Sequence, residues 1–342
     1  MDDPIIGDPF RCEEHRAAEV LADLGSYTIC VNDPPWTEMS RAVAPPARVI
    51  VAGDMEVDHL EAIASEPDDG EFVVGFGGGT ALDTAKFVAW KQEKPLVQIP
   101  TITSVDAGFT DAVGVRSRGR VRYVGQVVPE LVVLDVPLVR AAPKRLNRAG
   151  VGDVLSCHTG LFDWRLASGA GLGPVWDPAL AALGRRLLDQ LEAAAPDIGS
   201  VSEDGVRFLA RAYRAIGAAC AAAGHSRFEE GSEHFWAYAY EHATGARLVH
   251  GEIIAFAVCA LASVQGNDRE RARRIVSLAG TTANPADLGV SRDDFVHCLQ
   301  GLAEYVRAED LDHCVADLAP PTAAQIADAW SFVADLPRTD ID

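Results

Sequence analysis

The sequence predicts an α/β N-terminal domain with a parallel sheet, followed by an all-α C-terminal domain. Three observations carry this. Short β-branched runs alternate with helical patterns as far as about residue 143. One of these runs, Phe72-Val73-Val74, enters the glycine turn Gly75-Phe76-Gly77-Gly78-Gly79 and then a helical pattern through Phe87, Val88 and Trp90. From Asn147 onward strand signals almost vanish, and alanine- and leucine-rich segments with 3.6-residue periodicity take over. The boundary is placed at residue 146, giving domains over 1–146 and 147–342.

Ala17, Val20, Leu21 and Leu24 recur at helical spacing, so the opening through Leu24 reads as one helix. Tyr27-Thr28-Ile29-Cys30-Val31 reads as a buried strand closed by Asn32-Asp33-Pro34-Pro35. Arg48–Val51 is a second strand, a helix spans Val57–Ala64, and the strand before the glycine turn follows. Leu96–Pro100 and Leu131–Asp135 are further strands; between them Ser117-Arg118-Gly119, flanked by valine runs, predicts a hairpin. Helices are expected over Val154–Leu166, Pro178–Ala194, Gly205–Ala223, His234–His242, Glu252–Val264, Arg271–Ala279, Arg292–Val306 and Ala323–Ala334.

The 342 residues are enough for two cores. No apolar run is long enough to span a bilayer, and the acidic start Met1-Asp2-Asp3-Pro4 carries no basic region before an apolar stretch, so neither membrane insertion nor a secretory signal is expected. Seven scattered cysteines without a CxxC pair fit reduced thiols in a cytoplasmic protein. A formal net charge of −20 argues against nucleic acid and anionic membrane as partners. Lysine is scarce, which draws notice to the local cluster Arg116, Arg118, Arg120 and Arg122. The expected partner is a small molecule, and the helical half is large enough to hold a homo-oligomer interface.

A strand–glycine–helix turn presents bare backbone N–H groups and a positive helix end to a phosphate. The same pattern also makes an ordinary tight turn, so neighbouring chemistry must decide. Three places in the helical half supply it. Gly150-Val151-Gly152-Asp153, Gly231-Ser232-Glu233-His234 and His250-Gly251-Glu252 each open a helix. One carboxylate and two imidazoles can converge on a divalent cation and leave a position open for substrate. Residue by residue, other readings stand beside this one. Asp153 also suits a helix N-cap, Ser232 can cap its helix with His234 exposed, and His250 can be a turn residue. His158, His225 and His242 are rival ligands, and Cys157, four residues after Asp153, either lines the site or packs in the core.

Taken together these segments resemble the glycerol-1-phosphate dehydrogenase family, within the superfamily of dehydroquinate synthases and iron-containing alcohol dehydrogenases. The resemblance runs through Gly77-Gly78-Gly79-x-x-x-Asp83-x-x-Lys86, Ile99-Pro100-Thr101-x-x-Ser104-x-Asp106, Leu134-Asp135, Ala142-Pro143-x-Arg145, Gly150-x-Gly152-Asp153-x-Leu155-Ser156, Gly231–His234 and His250–Glu252, in that order. It implies a dehydroquinate synthase-like fold. It also implies Asp153, His234 and His250 as ligands of a divalent metal, usually zinc in this family, although such a set suits nickel and ferrous iron too. By the same resemblance Gly77, Gly78 and Gly79 cradle the pyrophosphate of NAD or NADP and Asp83 supports the turn. Thr101 and Ser104 line the nicotinamide side, Asp33 lies near the adenosine, and Asp106 is an acid close to the substrate.

The implied reaction is metal-assisted reduction of a small phosphorylated ketone, dihydroxyacetone phosphate to sn-glycerol 1-phosphate, or of another small polar carbonyl. Neutral imidazoles are needed for ligation, so activity is expected to fall as pH drops through the histidine range. Glu233 and Glu252 either orient imidazoles or sit exposed. A cyclase of the dehydroquinate synthase type is the alternative enzyme, against which Asp153 in place of glutamate argues. A non-catalytic cofactor-binding protein is the alternative of another class. Two departures from the family pattern are visible. No strand is evident before Tyr27, and Tyr123-Val124-Gly125-Gln126 lacks the family's lysine. The arginines of 116–122 either compensate for that lysine or form a solvated hairpin.

Overall fold

The computed structural model describes residues 8–339; the acidic opening Met1–Pro4 lies outside them. The chain divides into two compact units, one running to Pro143 and including Tyr213–Ala222, the other holding Lys144–Ala212 and the chain from Ala223 onward.

The first unit carries, in order, β1 (Cys12–Glu13), α1 (Ala17–Asp23), β2 (Tyr27–Val31), α2 (Pro35–Met39), β3 (Arg48–Val51), α3 (Val57–Ser65), β4 (Phe72–Gly77), α4 (Gly79–Gln92), β5 (Leu96–Pro100), β6 (Ala112–Ser117), β7 (Arg120–Gln126), β8 (Leu131–Val133) and α5 (Val136–Ala141). Six strands form one parallel sheet in the order β1-β8-β5-β4-β2-β3. Both faces are covered, so the apolar runs divide by alternation. Tyr27, Ile29, Val31, Val74, Phe76, Val97 and Ile99 pack on one side with Ala17, Leu21 and Trp36. Cys30, Val73 and Leu96 face the other side with Leu60, Phe87 and Val88. All five residues of β2 and of β5 are buried, as a central parallel strand requires. β6 and β7 form the expected antiparallel hairpin. Its turn residues Arg118 and Gly119 have φ of 53° and 75°, and both donate their backbone N–H to the Glu56 carboxylate.

The opening differs from the sequence expectation. The helix is confined to Ala17–Asp23, and Cys12–Glu13 pairs in parallel with Val132–Val133. A two-residue strand has no periodicity to read, and its partner lies over a hundred residues away. Asp135 fixes this corner from beneath: its carboxylate accepts from Ala17 N at 2.9 Å and from Leu138 N at 3.2 Å.

The second unit is helical: α6 (Lys144–Ala149), α7 (Val151–Leu155), α8 (Cys157–Gly169), α9 (Pro178–Ser200), α10 (Glu203–Ala223, of which Tyr213–Ala222 belong to the first unit), α11 (Ser232–Thr244), α12 (His250–Gln265), α13 (Arg269–Ala279), α14 (Pro285–Leu288), α15 (Arg292–Ala308), α16 (Val315–Leu318) and α17 (Ala323–Ala334). α12 is its axis, with every residue from Gly251 to Ala262 buried, and a helix apolar on all sides belongs at the centre. Asp177, Asp268 and Ser291 cap α9, α13 and α15 through their side chains, and Thr322 and Gln325 form a capping box on α17. Two boundaries differ from expectation. The segment expected as one helix from Val154 breaks at Ser156 into α7 and α8. α9 runs through Pro196 to Ser200, because Ala195 and Ile198 are buried there and packing outweighs the lost backbone bond. Among the described residues no helix is long and apolar enough to cross a membrane.

Candidate metal centre and cofactor turn

In the first unit the glycine turn lies where the sheet changes direction. The chain after β2 runs outward to β3 at one edge, whereas the chain after β4 runs the opposite way to β5 and beyond. Open parallel sheets bind ligands at the strand C-termini flanking such a switch. β2 and β4 end level, with Val31 beside Phe76. Asn32 therefore reaches across, and its Oδ1 accepts the Gly78 N–H at 3.0 Å. Gly78 is the N-cap of α4. A Cβ on Gly77 would stand 2.5 Å from Asn32 Oδ1 and 2.8 Å from Ala81 Cβ, and one on Gly79 would stand 2.8 Å from Val105 Cγ1. The turn is thus a bare-backbone cradle at the positive end of a fourteen-residue helix, which suits a pyrophosphate.

Around it, Thr101 and Ser104 are buried, and Thr101 N donates to Gly77 O at 2.9 Å. Asp106 is half-buried, and its carbonyl accepts Phe109 N at 2.7 Å in a single 3-10 turn. Asp33 is exposed, and its Oδ1 accepts both the hydroxyl (2.8 Å) and the N–H (3.2 Å) of Thr37 at the start of α2. Asp83 pairs with Lys86 at 3.1 Å. Burial raises the Asp83 carboxyl above the usual carboxylate range, against the pull of that lysine. Lys86, only 1% exposed, also donates to Thr110 Oγ1 and Ala112 O at 2.8 and 3.0 Å. The pair therefore ties α4 to the base of the hairpin. Asn32 was not singled out from the sequence; only the register of two parallel strands reveals it.

In the second unit Asp153, His234 and His250 come together: one ligand atom from each lies within 4.8 Å of the others. Asp153 is in the middle of α7, 2% exposed, and is not a cap. His234 is in the first turn of α11 and 5% exposed. His250 is the first residue of α12. His250 Nε2 is 3.6 Å from Asp153 Oδ1, and the two imidazole centroids are 5.3 Å apart. The approach of α7 to α12 depends on Gly152, because a Cβ there would stand 2.7 Å from Gly251 Cα and closer still to its carbonyl oxygen. Tetrahedral metal bonds of about 2.0–2.2 Å set donor atoms about 3.3–3.6 Å apart, so these three atoms would draw closer together to hold a cation. Among the described residues no other group of three such side chains is as close.

The rival histidines are engaged elsewhere. His158 Nε2 meets Asp268 O at 2.9 Å, His225 packs edge-on against Trp164, and His242 lies against Tyr305. Cys157 opens α8 beyond the break at Ser156, fully buried, and burial pushes its thiol well above the usual range. The two glutamates beside the histidines are both buried, not exposed, and differ in use. Glu233 Oε1 accepts Gly231 N at 2.6 Å and meets His234 Nδ1 at 3.0 Å. Glu252 takes both its oxygens to Arg145, at 2.6 and 2.7 Å, and orients no imidazole. Burial opposes a proton on His234, but the Glu233 hydrogen bond and the charges of Glu230, Glu233 and Glu229 outweigh it and raise that imidazole to about 10.

A family model described as iron-containing alcohol dehydrogenase matches residues 11–143. The glycerol-1-phosphate dehydrogenase, NAD(P)+, of Sulfolobus acidocaldarius is 30% identical over 254 residues, covering 74% of this chain and 72% of that protein. Its namesake from Aeropyrum pernix is 29% identical over 301 residues, 84% of each. Among solved structures, a probable glycerol dehydrogenase from Sinorhizobium meliloti 1021 superimposes with a TM-score of 0.72 at 21% identity over 96% of each chain. Glycerol dehydrogenase from Schizosaccharomyces pombe gives 0.71 at 17% identity, over 100% of this chain and 96% of that one. These two establish the fold, and with the sequence matches the conclusion is plain: the chain belongs to the glycerol-1-phosphate dehydrogenase family of iron-containing alcohol dehydrogenases.

Proposed function

We propose that the protein is a metal-dependent NAD(P)H oxidoreductase that reduces a small phosphorylated ketone, dihydroxyacetone phosphate, to sn-glycerol 1-phosphate. The observation that carries this is the convergence of one buried aspartate and two histidines from three separate helices, in a chain whose relatives bear that enzyme's name. Asp153, His234 and His250 would hold the cation; the donor set suits zinc, nickel or ferrous iron. When bound, the cation supplies Lewis-acid polarisation of a carbonyl oxygen, and a reduced nicotinamide supplies the hydride.

The chain's own residues do the rest. Gly77, Gly78 and Gly79 leave the opening of α4 clear for the pyrophosphate, with Asn32 fixing the turn from the neighbouring strand. Asp83 and Lys86 keep α4 in place, Thr101 and Ser104 line the nicotinamide side, and Asp33 faces the adenosine. Asp106 is assigned to the substrate side. The first unit is read as the NAD(P) domain and the second as the metal domain. Seven cysteines, none in a disulfide, support a reducing, cytoplasmic setting.

The test is oxidation of NADH and NADPH by zinc-reconstituted protein with dihydroxyacetone phosphate. Turnover is expected, with a drop of at least about a thousandfold in kcat/KM for Asp153→Asn, or about 4 kcal/mol of transition-state stabilisation. A metal- and cofactor-loaded protein that leaves dihydroxyacetone phosphate untouched would overturn the substrate assignment.

A further inference from the structure

Behind His234 lies a second set of buried groups. Asp163, in α8, is fully buried. Its Oδ2 accepts Ser232 N at 2.8 Å and Gln265 Nε2 at 3.2 Å, and its Oδ1 accepts Val315 N at 2.7 Å. One carboxylate thus joins the first residue of α11, the last residue of α12 and the first residue of α16. A carboxylate withdrawn from water is tolerated only where such donors converge on it.

The chain entering α11 is pressed against this group. A Cβ on Gly231 would stand 2.8 Å from Asp163 Oδ2 and 2.9 Å from Gly160 Cα. Glu233, equally buried, turns back to the same point: its Oε1 accepts Gly231 N and meets His234 Nδ1. The backbone on both sides of Gly231 and the imidazole ring are therefore held by two carboxylates, neither of which belongs to the cluster of three.

We propose that Asp163 and Glu233 are a positioning pair for His234, Asp163 fixing the backbone where α11 begins and Glu233 fixing the ring. The inference rests on the metal reading of the Asp153–His234–His250 cluster and adds to it how one ligand is placed before the cation arrives. An imidazole engaged at Nδ1 ligates through Nε2, and a ring already held needs little reordering to bind. Groups that orient ligand imidazoles typically contribute about 10–100-fold to metal affinity.

The experiment is a Co2+ titration of chelator-stripped full-length protein, read from the visible ligand-field bands, with Zn2+ competition for affinity. The unmodified chain is expected to bind one equivalent. Asp163→Asn and Glu233→Ala are expected to bind about 10–100-fold more weakly, with displaced bands and unchanged far-ultraviolet circular dichroism. Glu233→Gln, whose amide oxygen can still accept from both Gly231 and His234, is expected to restore affinity to within a few-fold. Should Asp163→Asn fail to fold, Glu233→Ala decides alone. Folded variants that bind Co2+ with the affinity and bands of the unmodified chain would overturn the positioning role. An unmodified chain that binds no Co2+ would instead overturn the metal reading itself, and the pair with it.

Discussion

The glycine turn and the Asp153–His234–His250 cluster are built by opposite means. The turn is contiguous in sequence and works by what it lacks: Gly77 to Gly79 leave the backbone bare, and one borrowed group, Asn32, steadies it. The cluster is dispersed over nearly a hundred residues, and each side chain needs its own support. Asp153 depends on the Gly152–Gly251 contact, and His234 leans on Glu233. His250 opens a helix whose first turn is pinned by Arg145 to Glu252. A site made of backbone tolerates change in its surroundings; a site made of side chains on three helices inherits every helix–helix error. Damage should accordingly spread differently from the two.

Among substitutions that leave the three side chains of the cluster intact, the largest effect is expected at Gly152. In Gly152→Ala the new Cβ meets backbone, not a movable side chain, and overpacking of this kind typically costs about 1–3 kcal/mol. The strain falls between the helices carrying Asp153 and His250. Cobalt affinity should therefore fall by about ten- to a hundredfold, while the KM for NADH of any residual activity stays unchanged. Isothermal titration and steady-state kinetics on one preparation would check this. Equal losses in metal and cofactor binding would show that the two sites do not fail separately.

The pH dependence is next, and its sign differs with and without metal. His234 is raised to about 10 in the metal-free protein, against an ordinary value near 6.5. Its contribution to stability is thus fully present below about 6.5 and is lost as pH rises through about 10. Thermal melts of metal-free protein should fall in temperature between pH 7 and 10. If His234 ligates as proposed, metal binding displaces that proton, and affinity should rise about tenfold per pH unit up to about pH 10. Calorimetry in two buffers of different ionisation enthalpy would count the proton released; none released from His234 would remove it from the ligand set.

The same contrast explains what could be read from the chain. The central strands were legible because burial on both faces demands unbroken apolar runs, as in Tyr27–Val31 and Leu96–Pro100. The glycine turn was legible because its parts are adjacent. β1 was not, since two residues carry no period, and the break at Ser156 was not, since nothing in that segment forbids a helix. From sequence, His234 and His250 could not be told from His158, His225 and His242 by residue type alone; the resemblance singled them out, and the fold brings them together. Asp163 and Asn32 left no signal, because their roles exist only once distant backbone N–H groups arrive beside them.

Within the turn two substitutions grade the smaller effects. Gly77→Ala places a methyl group against Asn32 Oδ1 and Ala81 Cβ. The α4 opening must shift, and a roughly tenfold rise in KM for NADH is expected, about 1.4 kcal/mol. Metal affinity should be untouched. Asn32→Ala removes one acceptor from Gly78 N, a group that bound phosphate oxygens or water can satisfy instead. Such a hydrogen bond is worth about 0.5–1.5 kcal/mol net, so KM should rise only a few-fold. The double variant separates two accounts of the turn. If Gly77 matters because of Asn32, removing the amide relieves part of the clash and the losses are less than additive. If it matters because of Ala81, the clash persists and the losses add. With Ala81 Cβ only slightly farther than the amide oxygen, partial relief is expected, with coupling of no more than about 1 kcal/mol.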